Sequence, residues 1–235
     1  MTDSTLDIRL RSVRDALTLA RQDAGIAKEV TLLAVSKRHS VESIRAAYDL
    51  GQRDFGESYA QELRDKATEL ADLPEIRWHY IGALQRNKVK LLTGVRFVHT
   101  IDRFATAKAL ANRFSPSEHQ CPQLLIQVNF DEPQKAGVLR DKLDPLVEQL
   151  RELSALRIRG LMTIPPRGTP ETTRPYFERL ASIAAELRAR HSLGPDFDQL
   201  SMGMSGDFRE AIAAGATIVR VGTAIFGPRP PAAKT

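Results

Sequence analysis

The chain has 235 residues, 42% hydrophobic and 27% charged, which is enough to build one large folded domain without metals or disulfides. A single cysteine, Cys121, excludes a disulfide framework, and the scattered histidines lack metal-ligand spacing, so no metal site is predicted. The net charge of +5 comes from basic residues interspersed with acidic ones, which argues against nucleic-acid binding. No apolar stretch of about eighteen residues occurs and the N-terminus is amphipathic, so we expect an untargeted cytoplasmic protein without a membrane span.

Apolar runs rich in β-branched residues alternate with segments of helical periodicity, a pattern typical of βαβ units. An amphipathic helix is predicted first, over residues 5–24. Eight strands are predicted to follow, over residues 31–35, 53–56, 77–81, 97–100, 124–129, 158–163, 199–203 and 218–222. Helices are predicted between them, over residues 41–50, 57–70, 85–92, 103–112, 143–153, 173–190 and 206–214.

The number of strand–helix units decides the architecture. Eight strands joined by seven helices, with no glycine-rich dinucleotide turn after the first strand, favour a closed α/β (β/α)₈ TIM barrel over an open doubly wound sheet. We therefore expect a single barrel domain over residues 1–235 with an extra N-terminal helix. Only the tail GPRPPAAKT is expected to lack regular structure.

Lys37 follows the first predicted strand, LLAVSK, at the end where a barrel builds its functional mouth. Side chains alternate along a strand, so Val35 and Lys37 should face inward while Ser36 faces the helices. Partial burial favours the neutral amine of a lysine, which can attack an aldehyde and form a Schiff base. The alternative is an ordinary rim lysine that extends into solvent.

Two loops near the C-terminus have residues suited to gripping a phosphate. After strand seven, in SMGMSGDFREAI, Gly203 would let the backbone approach a ligand, and Ser205 and Gly206 would open a helix with free N–H groups. After strand eight, in RVGTAIFG, Gly222 offers an amide and Thr223 a hydroxyl. A capped helix start without any ligand is the alternative for the first loop.

Two further polar residues are expected inside the barrel. Arg220 shares the inward face of its strand with Gly222 and needs a partner, either the ring nitrogen of a ligand or a buried carboxylate. One of His79 and Tyr80 should face the interior near Lys37. A core histidine bonded to a backbone carbonyl is the commoner role for such a residue.

A lysine on the first strand combined with a phosphate cradle on the last strands resembles the pyridoxal-phosphate barrel of the alanine racemase N-terminal domain, known as fold type III. A more specific resemblance is to the pyridoxal phosphate homeostasis protein family. It is carried by motifs that follow one another across nearly the whole chain: LLAVSK, FGESYAQE, WHYIGALQRNK, VHTID, IRGLMTI, LSMGMSGDFREAI and VRVGTAIFG.

The resemblance implies pyridoxal 5′-phosphate (PLP) as cofactor, held as a Schiff base on Lys37. It implies that Ser205, Gly222 and Thr223 meet the phosphate and that Arg220 faces the pyridine nitrogen. The remaining cofactor-binding candidates are Gly203, His79, Ser58 and Met162. Ser58 stands where the family usually has asparagine, and Lys135 in EPQKAG matches a lysine to which the resemblance gives a part in cofactor exchange.

The function implied is that of a non-catalytic carrier, which buffers PLP in vitamin B6 homeostasis or delivers it to PLP-dependent apo-enzymes. We expect a monomer or a weak dimer. An arginine beside the ring nitrogen disfavours protonation of that nitrogen, which weakens the cofactor as an electron sink. Two enzymatic alternatives stay open: a PLP-dependent amino-acid racemase using Lys37 with His79 or Tyr80 as bases, and a Schiff-base aldolase acting on a phosphorylated sugar.

Overall fold

A closed barrel of eight parallel strands forms the centre of a computed structural model that describes residues 4–114, 121–130 and 135–228. The strands pair in chain order, and β1 pairs with β8 to close the barrel, with Thr31 opposite Ile218. This confirms the predicted (β/α)₈ barrel. The strands are β1 Thr31–Val35, β2 Asp54–Glu57, β3 Arg77–Tyr80, β4 Val95–Ile101, β5 Gln123–Val128, β6 Arg157–Thr163, β7 Gln199–Ser201 and β8 Ile218–Val221.

Helices connect the strands and form the outer layer. They are α1 Ser4–Asp23, α2 Val41–Asp49, α3 Ala60–Glu69, α4 Phe104–Ala111, α5 Arg140–Arg151, α6 Pro170–Arg190, α7 Phe208–Ala213 and α8 Thr223–Phe226, with a 3₁₀ helix at Arg86–Leu91. Of the helices in the described ranges, none has the length and apolar character that crossing a membrane requires. The predicted tail lies mostly outside the described residues.

Two helical predictions need correction, and one helix was missed. The segment predicted as a helix over residues 85–92 is a short 3₁₀ connector, in which the Leu92 amide bonds to the Val89 carbonyl. Helix α7 starts at Phe208 and not at residue 206, because Asp207 accepts a hydrogen bond from the Met204 amide at 2.6 Å and closes a turn ahead of the helix. The four-residue α8 was not predicted.

Apolar side chains fill the space on both sides of the barrel wall. A small cluster inside the barrel comprises Leu33, Phe97, Leu125, Met162 and Ile218. The larger core lies between the strands and the helices, which bury residues at helical spacing. Tight packing on both faces holds the strand ends in fixed positions around the mouth of the barrel.

Helix α1 completes the outer ring of helices. It packs against α2, α7 and α8, and it buries Leu6, Leu10, Val13 and Leu17 at intervals of three and four residues. Because α8 is only four residues long, α1 covers the barrel wall near β8 and β1 that a longer final helix would cover. The predicted extra N-terminal helix is therefore part of the barrel layer.

Candidate functional site

A cavity of about 280 Å³ opens at the carboxyl ends of the strands, where barrel proteins build their sites. It combines apolar side chains with one lysine, one arginine, hydroxyl groups and glycines. Its lining residues are Val35, Lys37, Ser58, Ile81, Ile164, Met204, Ser205, Gly206, Arg220, Gly222 and Thr223.

Lys37 lies on the wall of this cavity, two residues after Val35, the last residue of β1. Ser36, between them, points to the helical side, where its hydroxyl donates a hydrogen bond to Glu57 Oε1 at 2.7 Å. The alternation predicted for β1 is therefore present. The lysine is half-buried, so its amine meets the cavity with part of its stem covered by protein.

Both chain neighbours of Lys37 are anchored from behind. The Ser36 carbonyl accepts a hydrogen bond from Lys66 Nζ at 2.8 Å, and the Arg38 amide donates to Glu62 Oε1 at 2.6 Å. Lys66 Nζ in turn bonds to Glu57 and Glu62 at 2.8 and 2.7 Å. Arg38 has a φ of +66°, a conformation that costs free energy in a residue with a side chain and that these contacts help to hold.

Four residues of the cavity wall have backbone amides that are available to a ligand. They are Ser205, Gly206, Gly222 and Thr223, and within the described part of the chain none of their N–H groups donates a hydrogen bond. Those of Gly222 and Thr223 stand at the start of α8, where helix amides lack internal acceptors. Convergent, unsatisfied N–H groups are suited to binding an anion such as a phosphate.

Arg220 forms the floor of the cavity and is buried. Its Nη1 donates to Ser201 Oγ at 2.9 Å and its Nη2 to the Thr163 carbonyl at 2.8 Å. Both acceptors are neutral, so the alternative of a directly bonded buried carboxylate is wrong for the residues that the structure describes. Burial lowers the pKa of Arg220 to about 10, which leaves the guanidinium protonated at neutral pH.

Met162 and Gly203 do not line the cavity. Met162 is fully buried in the interior cluster, and Ile164, two residues further along, is the one that reaches the cavity. Gly203 has a φ of +86°, and a Cβ there would stand 2.6 Å from Ala211 Cβ. The missing side chain of Gly203 therefore seats α7 against the barrel.

His79 faces the barrel interior but lies toward the opposite, N-terminal face, so its expected position near Lys37 is wrong. Its Nε2 is 3.1 Å from Asp54 Oδ1 and its Nδ1 is 2.9 Å from His99 Nε2, so its partners are side chains and not a backbone carbonyl. Tyr80 points away from the interior and donates its hydroxyl to the Ala83 carbonyl at 3.2 Å.

The remaining predicted residues occupy the rim. Ser58 lines the cavity, and the backbone of Gly82 crosses so close to the Ser58 carbonyl that a Cβ at Gly82 would clash with it. Lys135 donates to the Pro165 carbonyl at 3.1 Å, which ties the loop after β5 to the loop after β6. Residues 132–134 of the EPQKAG motif lie outside the described ranges.

Ile81, Ile164 and Met204 are lining residues that the sequence analysis missed. Ile164 and Met204 are large apolar residues exposed at the mouth, and together with Ile81 they give the cavity walls against which a flat ring can pack. The signal was present in the strand alternation. Ile81 lies two residues after His79, and Ile164 two after Met162, at the ends of the same inward faces.

A barrel with a lysine and available backbone amides at its mouth defines a class of cofactor-binding barrels, and sequence comparison identifies the family. The model of the family "Alanine racemase, N-terminal domain" matches residues 8–230. The pyridoxal phosphate homeostasis protein of Escherichia coli K12 is 43% identical over 226 residues, covering 94% of this chain and 95% of that protein. The homologue of the same name from Synechocystis is 41% identical over 209 residues, covering 88% and 94%.

Solved structures agree with the sequence comparison. PipY of Synechococcus elongatus PCC7942, in a structure with PLP bound, superposes with a TM-score of 0.82 at 38% identity, over 94% of this chain and all of PipY. Alanine racemase of Corynebacterium glutamicum, at 19% identity and a TM-score of 0.66 over 98% of this chain and 62% of that one, shares the barrel fold. The chain therefore belongs to the family of pyridoxal phosphate homeostasis proteins, built on the alanine racemase N-terminal domain.

Proposed function

We propose that the chain binds PLP covalently through Lys37 and acts as a carrier in PLP homeostasis. When bound, the cofactor supplies an aldehyde that condenses with a primary amine, together with a phosphate and a pyridine ring. One observation carries the proposal: Lys37 lines the same cavity at the barrel mouth as Ser205, Gly206, Gly222 and Thr223, four residues whose backbone amides donate no hydrogen bond within the described chain. The names of the homologues and the PLP-bound PipY structure support it.

Each part of the cavity matches a part of the cofactor. Ser205, Gly206, Gly222 and Thr223 would hold the phosphate through their amides, with the two hydroxyl groups as additional donors. The apolar side chains of the mouth would cover the ring. Ser58 has a shorter side chain than the asparagine usual in the family, so it can contact the ring only where the ring lies closer to the backbone.

Arg220 favours storage of the cofactor over chemistry on it. A guanidinium can only donate hydrogen bonds, so beside the ring nitrogen it would leave that nitrogen as an unprotonated acceptor. An unprotonated ring is a poorer sink for electrons, and reactions that pass through a carbanion are correspondingly disfavoured.

The two enzymatic alternatives lack a second catalytic group in the cavity. A racemase needs two bases, yet His79 and Tyr80 do not line the cavity, and burial raises the pKa of Tyr80 to about 12. An aldolase needs a proton-transfer group beside its lysine. Of the described residues that line the cavity, Lys37 and Arg220 are the ones with ionisable side chains.

Delivery to PLP-dependent apo-enzymes is part of the proposal. Ser205, Gly206 and Thr223 are exposed at the mouth, so the phosphate end of the cofactor would be reachable from outside and could leave without domain opening. A part for Lys135 in cofactor exchange fits its place on a neighbouring loop. Action in the cytoplasm, as a monomer or weak dimer, completes the proposal, and the single cysteine fits a reducing compartment.

Covalent labelling tests the proposal. Purified protein incubated with PLP and reduced with borohydride should carry the cofactor mass on the peptide that contains Lys37. Lys37→Ala should lose both the label and the visible absorbance, because no other lysine lines the cavity in the described chain. Lys142→Ala, at an exposed position on α5, is the matched control and should label like the parent chain.

The same preparations decide between carrier and enzyme. Single enantiomers of several amino acids, incubated with the loaded protein, should keep their optical activity. Turnover that disappears in Lys37→Ala would establish a racemase and end the carrier proposal, while a colourless protein that takes up no PLP would favour the aldolase alternative.

A further inference from the structure

Five buried polar side chains cross the barrel interior in one hydrogen-bonded line, which we call the interior polar chain. It runs from Asp54 to His79 (3.1 Å), to His99 (2.9 Å), to Ser201 (2.8 Å) and to Arg220 (2.9 Å). These residues come from β2, β3, β4, β7 and β8. All five are buried in a space that barrels ordinarily fill with aliphatic side chains.

The interior polar chain connects the two faces of the barrel. Its Arg220 end is the floor of the mouth cavity. Its Asp54 end lies in a second cavity, of about 280 Å³, at the N-terminal face, where Arg77 binds both carboxylate oxygens of Asp54 at 2.8 and 2.6 Å. The line therefore begins at a fixed anion and ends at the cation of the cofactor site.

The donor and acceptor chemistry of its members decides which group donates each hydrogen bond of the interior polar chain. Burial opposes ionisation of Asp54, but hydrogen bonds from His79 and Arg77 outweigh it and lower the pKa of the carboxyl, so Asp54 only accepts. Burial also lowers the pKa of His79, and that of His99 well below its ordinary value, so both rings are neutral.

The tautomers follow from these two ends. His79 must carry its proton on Nε2 to reach Asp54, which leaves Nδ1 to accept from Nε2–H of His99. His99 Nδ1 then accepts the hydroxyl proton of Ser201. The lone pairs of Ser201 are thereby directed at Arg220, the one neighbour that can only donate.

From this geometry we infer that Asp54, His79, His99 and Ser201 are positioning residues for Arg220. Together with the Thr163 carbonyl, an oriented Ser201 oxygen fixes the guanidinium in the plane that it presents to the cavity. The inference rests on the proposed function, in which Arg220 faces the ring nitrogen. The line orients Arg220 without conducting a proton to it, because the guanidinium stays protonated at neutral pH.

Histidine tautomers test the direction of the line in cofactor-free protein. Nitrogen-15 spectra of histidine-labelled protein should show His79 and His99 both protonated on Nε2 and bare on Nδ1. A proton on Nδ1 of either ring would overturn the assigned direction and, with it, the inference.

Cofactor affinity tests the effect on Arg220. Ser201→Ala should raise the Kd for PLP about tenfold and shift the absorbance band of the bound cofactor, because Arg220 loses an anchoring acceptor. His99→Phe should raise the Kd about threefold, since the Ser201 hydroxyl proton is then free to turn. His99→Gln, whose amide can accept from Ser201 and donate to His79, should restore the parent value.

Phe97→Leu is the matched control. Phe97 stacks on His79, with ring centroids 5.2 Å apart, but makes no hydrogen bond in the line, so its Kd and absorbance band should match those of the parent. If Ser201→Ala binds like Phe97→Leu, the inference fails while the proposed function stands. If the parent chain itself takes up no PLP, the proposed function fails and takes the cofactor end of this inference with it.

Discussion

Glu57 is a buried carboxylic acid that is hydrogen-bonded to Ser36, the residue before Lys37. It is fully buried, its Oε1 bonds to Ser36 and Lys66, and its Oε2 has no hydrogen-bond partner among the described residues. Burial raises the pKa of Glu57 to about 7, although the Lys66 ammonium opposes the shift. The carboxyl that anchors Ser36 is therefore partly protonated near neutral pH.

This shift predicts a stability that depends on pH. Between about pH 4.5 and pH 7 the folded state holds a proton on Glu57 that the unfolded state has released, so the unfolding free energy falls as pH rises across that window. The resulting loss of unfolding free energy reaches about 3 kcal/mol at most and does not change further above pH 7. Glu57→Gln, which does not titrate, should lack this slope.

Urea unfolding of both proteins at about pH 5 and about pH 8 measures the effect. The parent chain should lose stability relative to Glu57→Gln between the two conditions. His79 and His99 act in the opposite direction below about pH 6.5, but they are common to both proteins and cancel in the difference. An equal difference at both pH values would contradict the buried, protonated carboxyl.

For single residues of the site, strand alternation could predict which face of the strand a side chain occupies. Alternation identified the inward face that carries Lys37 and required one of His79 and Tyr80 to face the interior; in the structure that residue is His79. Met162, a candidate from the family resemblance, also lies inside the barrel. Alternation does not give height along the barrel axis, which depends on strand tilt and on register shifts such as the one in β3–β4 pairing. His79 and Met162 consequently lie one layer too deep.

At the scale of elements, the turn between β7 and α7 depends on a glycine. Gly203→Ala should lower the unfolding free energy by about 2 to 4 kcal/mol, because a side chain is strained at a φ of +86° and its Cβ would press on Phe208 and Ala211. Gly206→Ala, three residues away in open space and without a positive φ, should change it by less than about 0.5 kcal/mol. Denaturant unfolding of cofactor-free protein compares them, and equal losses would refute this account of Gly203.

Periodicity predicted where elements lie better than how they begin. The strands and long helices were found within a few residues, since their apolar patterns extend over several turns or alternations. The 3₁₀ helix Arg86–Leu91 is too short for its period to be distinguished from that of an α-helix. The start of α7 was missed because residues 204–207 form a turn, closed by the hydrogen bond from the Met204 amide to Asp207, and the helix begins only after it.

At the scale of the whole molecule, α1 is a structural wall of the barrel. Leu10 on α1 is 1% exposed and Leu19 on the same helix 54% exposed. Leu10→Ala should destabilise the fold by about 2 to 5 kcal/mol, because it leaves a cavity in the outer core. Leu19→Ala should cost less than about 0.5 kcal/mol. Thermal and denaturant unfolding give both values, and a Leu10→Ala protein as stable as Leu19→Ala would show that α1 is dispensable.

The barrel itself could be predicted from the count of strand–helix units, and the barrel in turn predicted the location of the site. The interior polar chain could not be predicted in this way. Its members are distributed from Asp54 to Arg220 on five strands, and no spacing in the sequence joins them. They become neighbours only because closure brings the inward faces of distant strands together.

Barrel closure by pairing of β1 with β8 also sets the order in which parts of the site form during synthesis. Thr31 can pair with Ile218 only after Ile218 has left the ribosome. Until then β1 lacks its β8 neighbour, and the apolar face of α1 lacks α7 and α8. Lys37 is made early and Thr223 late, on opposite sides of this last seam. A chain that has not yet reached β8 therefore has the lysine but not the amides of Gly222 and Thr223, so PLP can be held as proposed only after β8 and the start of α8 have been made.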